Sequence, residues 1–186
     1  PSPEGAQIIL PFLALPAAVA LPAPQPPRPP APAHVVNTFH FEIAAPLVRV
    51  APLFGPEGER AWAGRHWNPV FLYPQPAKDT EGAVFAVQQG PHTSVWVNTR
   101  FDLAAGRMQY VSIIDGVLAS VIDVRLTAPD AARTAVQVTY ARTALDPSRN
   151  AIVESMGAQD RTSGPVWQHS IEAALGLVAP QSPPKP

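Results

Sequence analysis

The sequence predicts an α+β domain: a curved seven-stranded antiparallel sheet wrapped around a C-terminal helix, with two short helices after the first strand. Three observations predict it. Seven segments alternate or run apolar at strand length, and six of them follow one another almost without break. After Asp146 the apolar period changes from two to near 3.6. Between the first strand and the rest lie two short helical patterns punctuated by Pro. A strand run flanked by helices is a layered α+β arrangement. One antiparallel sheet with a helix on one face curls around it, and the space between becomes core or cavity.

The elements follow in order. In His34–Ile43, Phe39, Phe41 and Ile43 point one way and Thr38, His40 and Glu42 the other, a half-buried strand. Pro46 opens a helical pattern of Leu47, Val50, Ala51 and Phe54, interrupted by Pro52. The run from Gly55 to Glu59 starts a second short helix, with Glu57 and Glu59 favouring the positive end of its dipole and Gly64 as a stop. Strands are expected at Val70–Tyr73, Ala83–Gln88, Thr93–Phe101, Arg107–Ile114, Val117–Leu126 and Thr134–Leu145. Turns at Gln89-Gly90-Pro91, Leu103–Gly106, Asp115-Gly116 and Pro129-Asp130 separate the later ones. Asp146 and Pro147 cap a helix whose Ile152, Val153 and Met156 share a face before Gly157. Gly164-Pro165 starts the last helix, with Trp167, Ile171, Ala174, Leu175 and Val178 in one stripe.

Composition sets the outer limits. Of 25 Pro in 186 residues, 11 fall in residues 1–34 and four in 180–186. The expectation is one domain at 35–178 between Pro-rich tails at 1–34 and 179–186. With no Cys, disulfide scaffolds, thiolate metal sites and Cys nucleophiles are excluded. Thirteen Lys+Arg against 14 Asp+Glu give no electrostatic reason to seek nucleic acid. A hydrophobic content of 46% points to a large core or an apolar cavity.

The apolar run Ile8–Leu21 is shorter than the roughly 20 residues a bilayer span needs, and Pro11 and Pro16 break it. No integral membrane segment is expected. Ala18-Val19-Ala20 fits a signal cleavage site, but the segment before the run carries Glu4 and no Lys or Arg. The favoured reading is an untidy start with the domain beginning near Val35 and a cytoplasmic protein. The alternative is export, with residues 8–20 as a signal core. Pro22–Ala33 reads as an extended spacer.

The element order and several segments resemble the START-like superfamily, also called SRPBCC or helix-grip. The matching segments are Leu53-Phe54-Gly55-Pro56-Glu57-Gly58-Glu59-Arg60 with Trp62, then Trp67-Asn68-Pro69 through Leu72-Tyr73-Pro74. Glu81–Phe85, Ser94–Val97 and Val136–Leu145 continue the match, and Trp167 falls where such proteins often carry an aromatic. The likeness is nearest to small bacterial proteins of unassigned function and to polyketide cyclase-like ones. Gly157–Gly164 departs from the pattern by interrupting a usually longer terminal helix. The resemblance implies an apolar cavity between sheet and last helix that binds a lipid, polyketide or aromatic molecule. It implies no cofactor and transfers no catalytic residue.

The residues themselves carry no GxSxG, HExxH, GxGxxG or P-loop motif, and the five His show no close metal spacing. His40 with Glu42, and Asp123 with Arg125, lie opposite apolar strand faces and are expected to face solvent. Arg100 and Asp102 flank a turn. Arg142 shares parity with Val136, Val138 and Tyr140. It either ends the apolar pocket as a cation or has reached the rim and extends to water, and the rim is favoured. His66 and Asn68 either guard an entrance or make turns. The candidate ligand-binding set is Trp62, Trp67, Phe85, Trp96, Tyr110, Tyr140, Arg142 and Trp167. Three functions remain open: binding of a small apolar molecule, a cyclase or dehydratase using His66, Tyr140 or Arg142, and a partner-binding module tethered by its Pro-rich arm.

Overall fold

A computed structural model describes residues 30–179. The apolar run Ile8–Leu21 and most of the Pro-rich tails therefore lie outside the described residues. Seven strands form one antiparallel sheet: β1 (His34–Ile43), β2 (Val70–Tyr73), β3 (Val84–Gln89), β4 (His92–Asp102), β5 (Arg107–Ile114), β6 (Leu118–Asp130) and β7 (Arg133–Ala144). Their order is β1-β7-β6-β5-β4-β3-β2. Six strands are thus a meander, closed by β1 returning to pair with β7. The returning link holds helix α1 (Leu47–Val50) and two single 3-10 turns at Ala51–Phe54 and Gly58–Ala61. Helices α2 (Asn150–Asp160) and α3 (Gly164–Ala174) end the domain.

The period-two pattern selects which face is buried. Phe39, Phe41 and Ile43 of β1 join Met108, Val124, Leu126, Val136 and Val138 in the main core. Ile171, with no exposed surface, and Trp167 bring α3 onto that face. Each fully buried side chain of this size contributes about 1.5–3 kcal/mol. Helix α2 packs on β1 and β7 over a second cluster of Ile114, Leu118, Ala144 and Val153. The apolar excess is not all interior, since Val36, Val95, Ile113 and Val121 stand exposed on the outer face.

The structure corrects four boundaries. Pro129 does not end β6. The strand runs to Asp130, and the register shifts between Thr127 and Asp130, where a residue without an N–H is tolerated. Gly157 does not end α2 but sits inside it. A Cβ there would lie 2.9 Å from Val35 Cγ2 and 3.0 Å from Asn37 Nδ2, so glycine lets the helix rest on β1. The expected interruption shrinks to residues 161–163. Helix α3 stops at Ala174, with Gly176 at φ 73°, leaving Ala174 and Val178 exposed and outside the buried stripe.

Candidate functional site

The inward face of the sheet is a set of cross-strand rows, and one row differs from the others. Trp96, Ser112, Ser120 and Arg142 are directly paired across β4, β5, β6 and β7. On one side the next row is Ser94, Ile114, Leu118 and Ala144. On the other, Tyr110, Ile122 and Tyr140 are paired, and beyond them Met108, Val124 and Val138. Two small hydroxyl side chains thus occupy the middle of the row where its neighbours carry large apolar ones. A cavity of about 350 Å³ lies over them.

All eight candidate residues line this cavity. Six of them form two aromatic walls. Trp62 and Trp167 lie 4.9 Å apart between ring centroids, with Tyr140 6.4 Å from Trp167. Opposite, Trp96 lies 5.4 Å from Trp67 and 5.9 Å from Phe85. Such pairs add about 0.5–1.5 kcal/mol beyond area burial and hold the rings in place. The indole N–H groups are spent on the protein: Trp62 donates to Leu53 O at 2.7 Å, Trp67 to Pro56 O at 2.9 Å and Trp96 to Ser94 Oγ at 2.8 Å. The Tyr110 hydroxyl donates to Phe54 O. These rings therefore turn apolar surface to the cavity and tie the short helical link to the sheet. The exposed lining residues His66 and Val166 mark where the cavity meets solvent.

Arg142 overturns the favoured rim reading. It is 9% exposed and lines the cavity. Its Nε and Nη2 each donate to Asp160 at 2.7 Å, Nη1 donates to Ser120 Oγ at 3.2 Å, and its guanidinium lies 4.2 Å from the Tyr140 ring centroid. The cation is kept inside because helix α2 supplies a carboxylate in bidentate geometry. Asp160 was missed in the sequence, although it continues the α2 face of Val153 and Met156 at helical spacing.

Glu59 was also missed as a site residue. It lines the cavity with Trp62, Ala63, His66 and Trp67, all at helical spacing from it, instead of facing outward from a helix terminus. Its placement depends on Asp79. The Asp79 carboxylate accepts from Glu57 N at 2.9 Å and Gly58 N at 3.3 Å, and a Cβ on Gly55 would overlap it at 2.1 Å. Glycine at 55 thus lets the carboxylate seat in the turn that presents Glu59. Burial pushes the Glu59 carboxyl well above the usual carboxylate range, and the charge of Asp79 adds to the rise. Burial likewise raises the Tyr140 hydroxyl, opposed in part by Arg142. Among the described residues, neither the Tyr140 hydroxyl nor the Glu59 carboxyl has a hydrogen-bond partner in the protein.

The remaining candidates lie elsewhere. His40 is exposed, and Glu42 pairs with Arg133 at 3.1 Å on the outer face. Asp123 pairs with Arg125 at 2.7 Å in the same setting. Asp102 caps its turn by accepting from Ala105 N. Asn68 accepts from Arg60 and belongs to the turn, whereas His66 reaches the cavity mouth. Among the described residues no three His, Asp or Glu gather as a metal site, and no helix is long and apolar enough to cross a membrane.

No protein-family model matches the chain, and no curated protein matches its sequence. Solved structures do match. Norcoclaurine synthase from Thalictrum flavum, in complex with dopamine and hydroxybenzaldehyde, superposes with a TM-score of 0.57 at 11% identity, covering 81% of this chain and 91% of that one. A protein from Thermobifida fusca gives a TM-score of 0.55 at 16% identity, covering 75% and 94%. An uncharacterised protein from Rhizobium leguminosarum gives 0.55 at 16%, covering 78% and 97%. At such identities the likeness speaks for architecture alone: this chain has the helix-grip fold of the START-like proteins.

Proposed function

We propose that the protein binds a small, largely apolar molecule in the cavity between the sheet and α3. The observation that carries this reading is the pair Ser112 and Ser120. Small polar residues at the centre of an inward sheet face, ringed by aromatic walls, support a hollow kept open rather than a core imperfectly filled. The cavity size suits a molecule of two or three fused rings or a short acyl chain. Binding would draw on apolar surface removed from water, at about 25 cal/mol per Å². Arg142 favours binding over cyclase-like chemistry, because its charge is already offset by Asp160 and is a poor anchor for an enolate.

The test uses the full chain and the uncharged dye phenylnaphthylamine. Wild type is expected to enhance its fluorescence saturably, and native mass spectrometry of protein purified from cells should reveal any bound apolar molecule. Ser112→Leu fills the hollow and should abolish dye binding while the circular dichroism spectrum is retained. Equal binding by wild type and Ser112→Leu, or none by either, would overturn the proposal.

A further inference from the structure

We propose that Glu59 selects among ligands of this cavity, holding the carbonyl or ether oxygen of an uncharged molecule and turning away carboxylates. The inference deepens the binding role proposed above and rests on it. Its ground is the distribution of charge around the hollow.

Only two formally charged side chains line the cavity among the described residues, Arg142 and Glu59, with His66 at the mouth. Arg142 is closed by Asp160 with two bonds of 2.7 Å, so an entering anion meets no uncompensated cation. The other cation near Glu59 is Arg60 on the same turn. It faces outward, engaged by Glu57 at 2.9 Å and by Asn68 and Pro69. A carboxylate ligand would therefore lose its hydration without finding a balancing positive charge.

Glu59 is the complementary feature. The titratable groups whose charge couples to that of Glu59 are Asp79 from the β2–β3 connection, Tyr110 from β5 and Tyr140 from β7. Asp79 is itself bound to backbone N–H groups of the turn, and the Tyr110 hydroxyl is bound to Phe54 O. Neither is free to satisfy Glu59, and the Tyr140 hydroxyl makes no hydrogen bond to it. Burial and the charge of Asp79 both oppose ionisation of the Glu59 carboxyl, and in its protonated form it is a donor lacking a protein acceptor. An acceptor on the ligand completes it. A site built to hydrogen-bond a substrate oxygen discriminates strongly against an analogue that lacks it.

Four naphthalene probes of one size separate the possibilities: acetylnaphthalene, ethylnaphthalene, naphthoate and naphthylmethylamine. Each is titrated into the full chain at neutral pH, with indole fluorescence as readout. Wild type is expected to prefer acetylnaphthalene to ethylnaphthalene and naphthoate by about tenfold or more, the equivalent of one good hydrogen bond. Glu59→Gln keeps an uncharged donor and should retain the ketone preference. Glu59→Leu should erase it while ethylnaphthalene still binds. As pH rises and Glu59 ionises, ketone affinity should fall in wild type and stay level in Glu59→Gln.

Tightest binding of naphthoate or of naphthylmethylamine would overturn the inference, as would a ketone preference that survives Glu59→Leu. If ethylnaphthalene binds and Ser112→Leu blocks it, those outcomes sink the role of Glu59 alone. If no probe binds wild type, the cavity reading fails and the selectivity falls with it.

Discussion

Two ends of the same inward sheet face behave differently. At one end Met108, Val138 and Phe39 pack with Ile171 in one core cluster and leave no room. Two rows away on the same strands, Ser112 and Ser120 leave a cavity of about 350 Å³. Strand direction, parity and pairing are the same at both ends. The difference is side-chain volume at two positions, together with an ion pair and aromatic rings that stop the walls from collapsing inward. A hollow in such a fold therefore costs the sheet nothing in hydrogen bonding. It costs apolar contacts, and the packed end must supply them.

The contrast can be broken most severely at its polar wall. Asp160→Ala leaves the Arg142 guanidinium buried and unpaired, and should lower stability in urea unfolding by about 3–5 kcal/mol. The next test sets the two ends against each other on one strand. Met108→Ala should cost about 2–5 kcal/mol in the same experiment. Ser112→Ala should change stability by less than about 0.5 kcal/mol, because its hydroxyl has no partner among the described residues to lose. A smaller effect follows from adding volume. Ser112→Val should be near neutral, whereas Val138→Phe at the packed end should cost about 1–3 kcal/mol. Equal penalties for the two additions would show that the hollow closes in solution.

The smallest effect is a pH slope. The folded state raises the Glu59 carboxyl above its unfolded value of about 4.3 and so binds its proton more tightly. That contribution to stability is complete below the unfolded value and is lost as pH rises towards the raised one. Melting temperature should therefore decline more steeply across that window in wild type than in Glu59→Gln. Identical slopes would show that the Glu59 carboxyl is not held in its neutral form.

Period two in the strands made the sheet and its inward face legible. The bounds of β1, β2 and β5 follow from alternation and flanking turns alone. The seven aromatic lining residues were legible for the same reason, since large aromatics on inward parity or on short helical links have one interior to enter. What failed was the reading of polar residues one at a time. Glu59 looked like a helix-terminus charge and Arg142 like a rim residue, because single-strand periodicity does not say what faces them. Ser112 and Ser120 were passed over, although both fall on inward parity.

The sequence by itself determined the layer arrangement, the strand parity and the aromatic walls, because those follow from spacing within one element. Only the tertiary structure decided that the walls enclose a space. That required the register placing Ser112 opposite Ser120, the close approach at Gly157 that brings Asp160 to Arg142, and the Asp79 carboxylate that holds the Glu59 turn. Each joins residues far apart in the chain. Volume and charge compensation are properties of those meetings, not of any one segment.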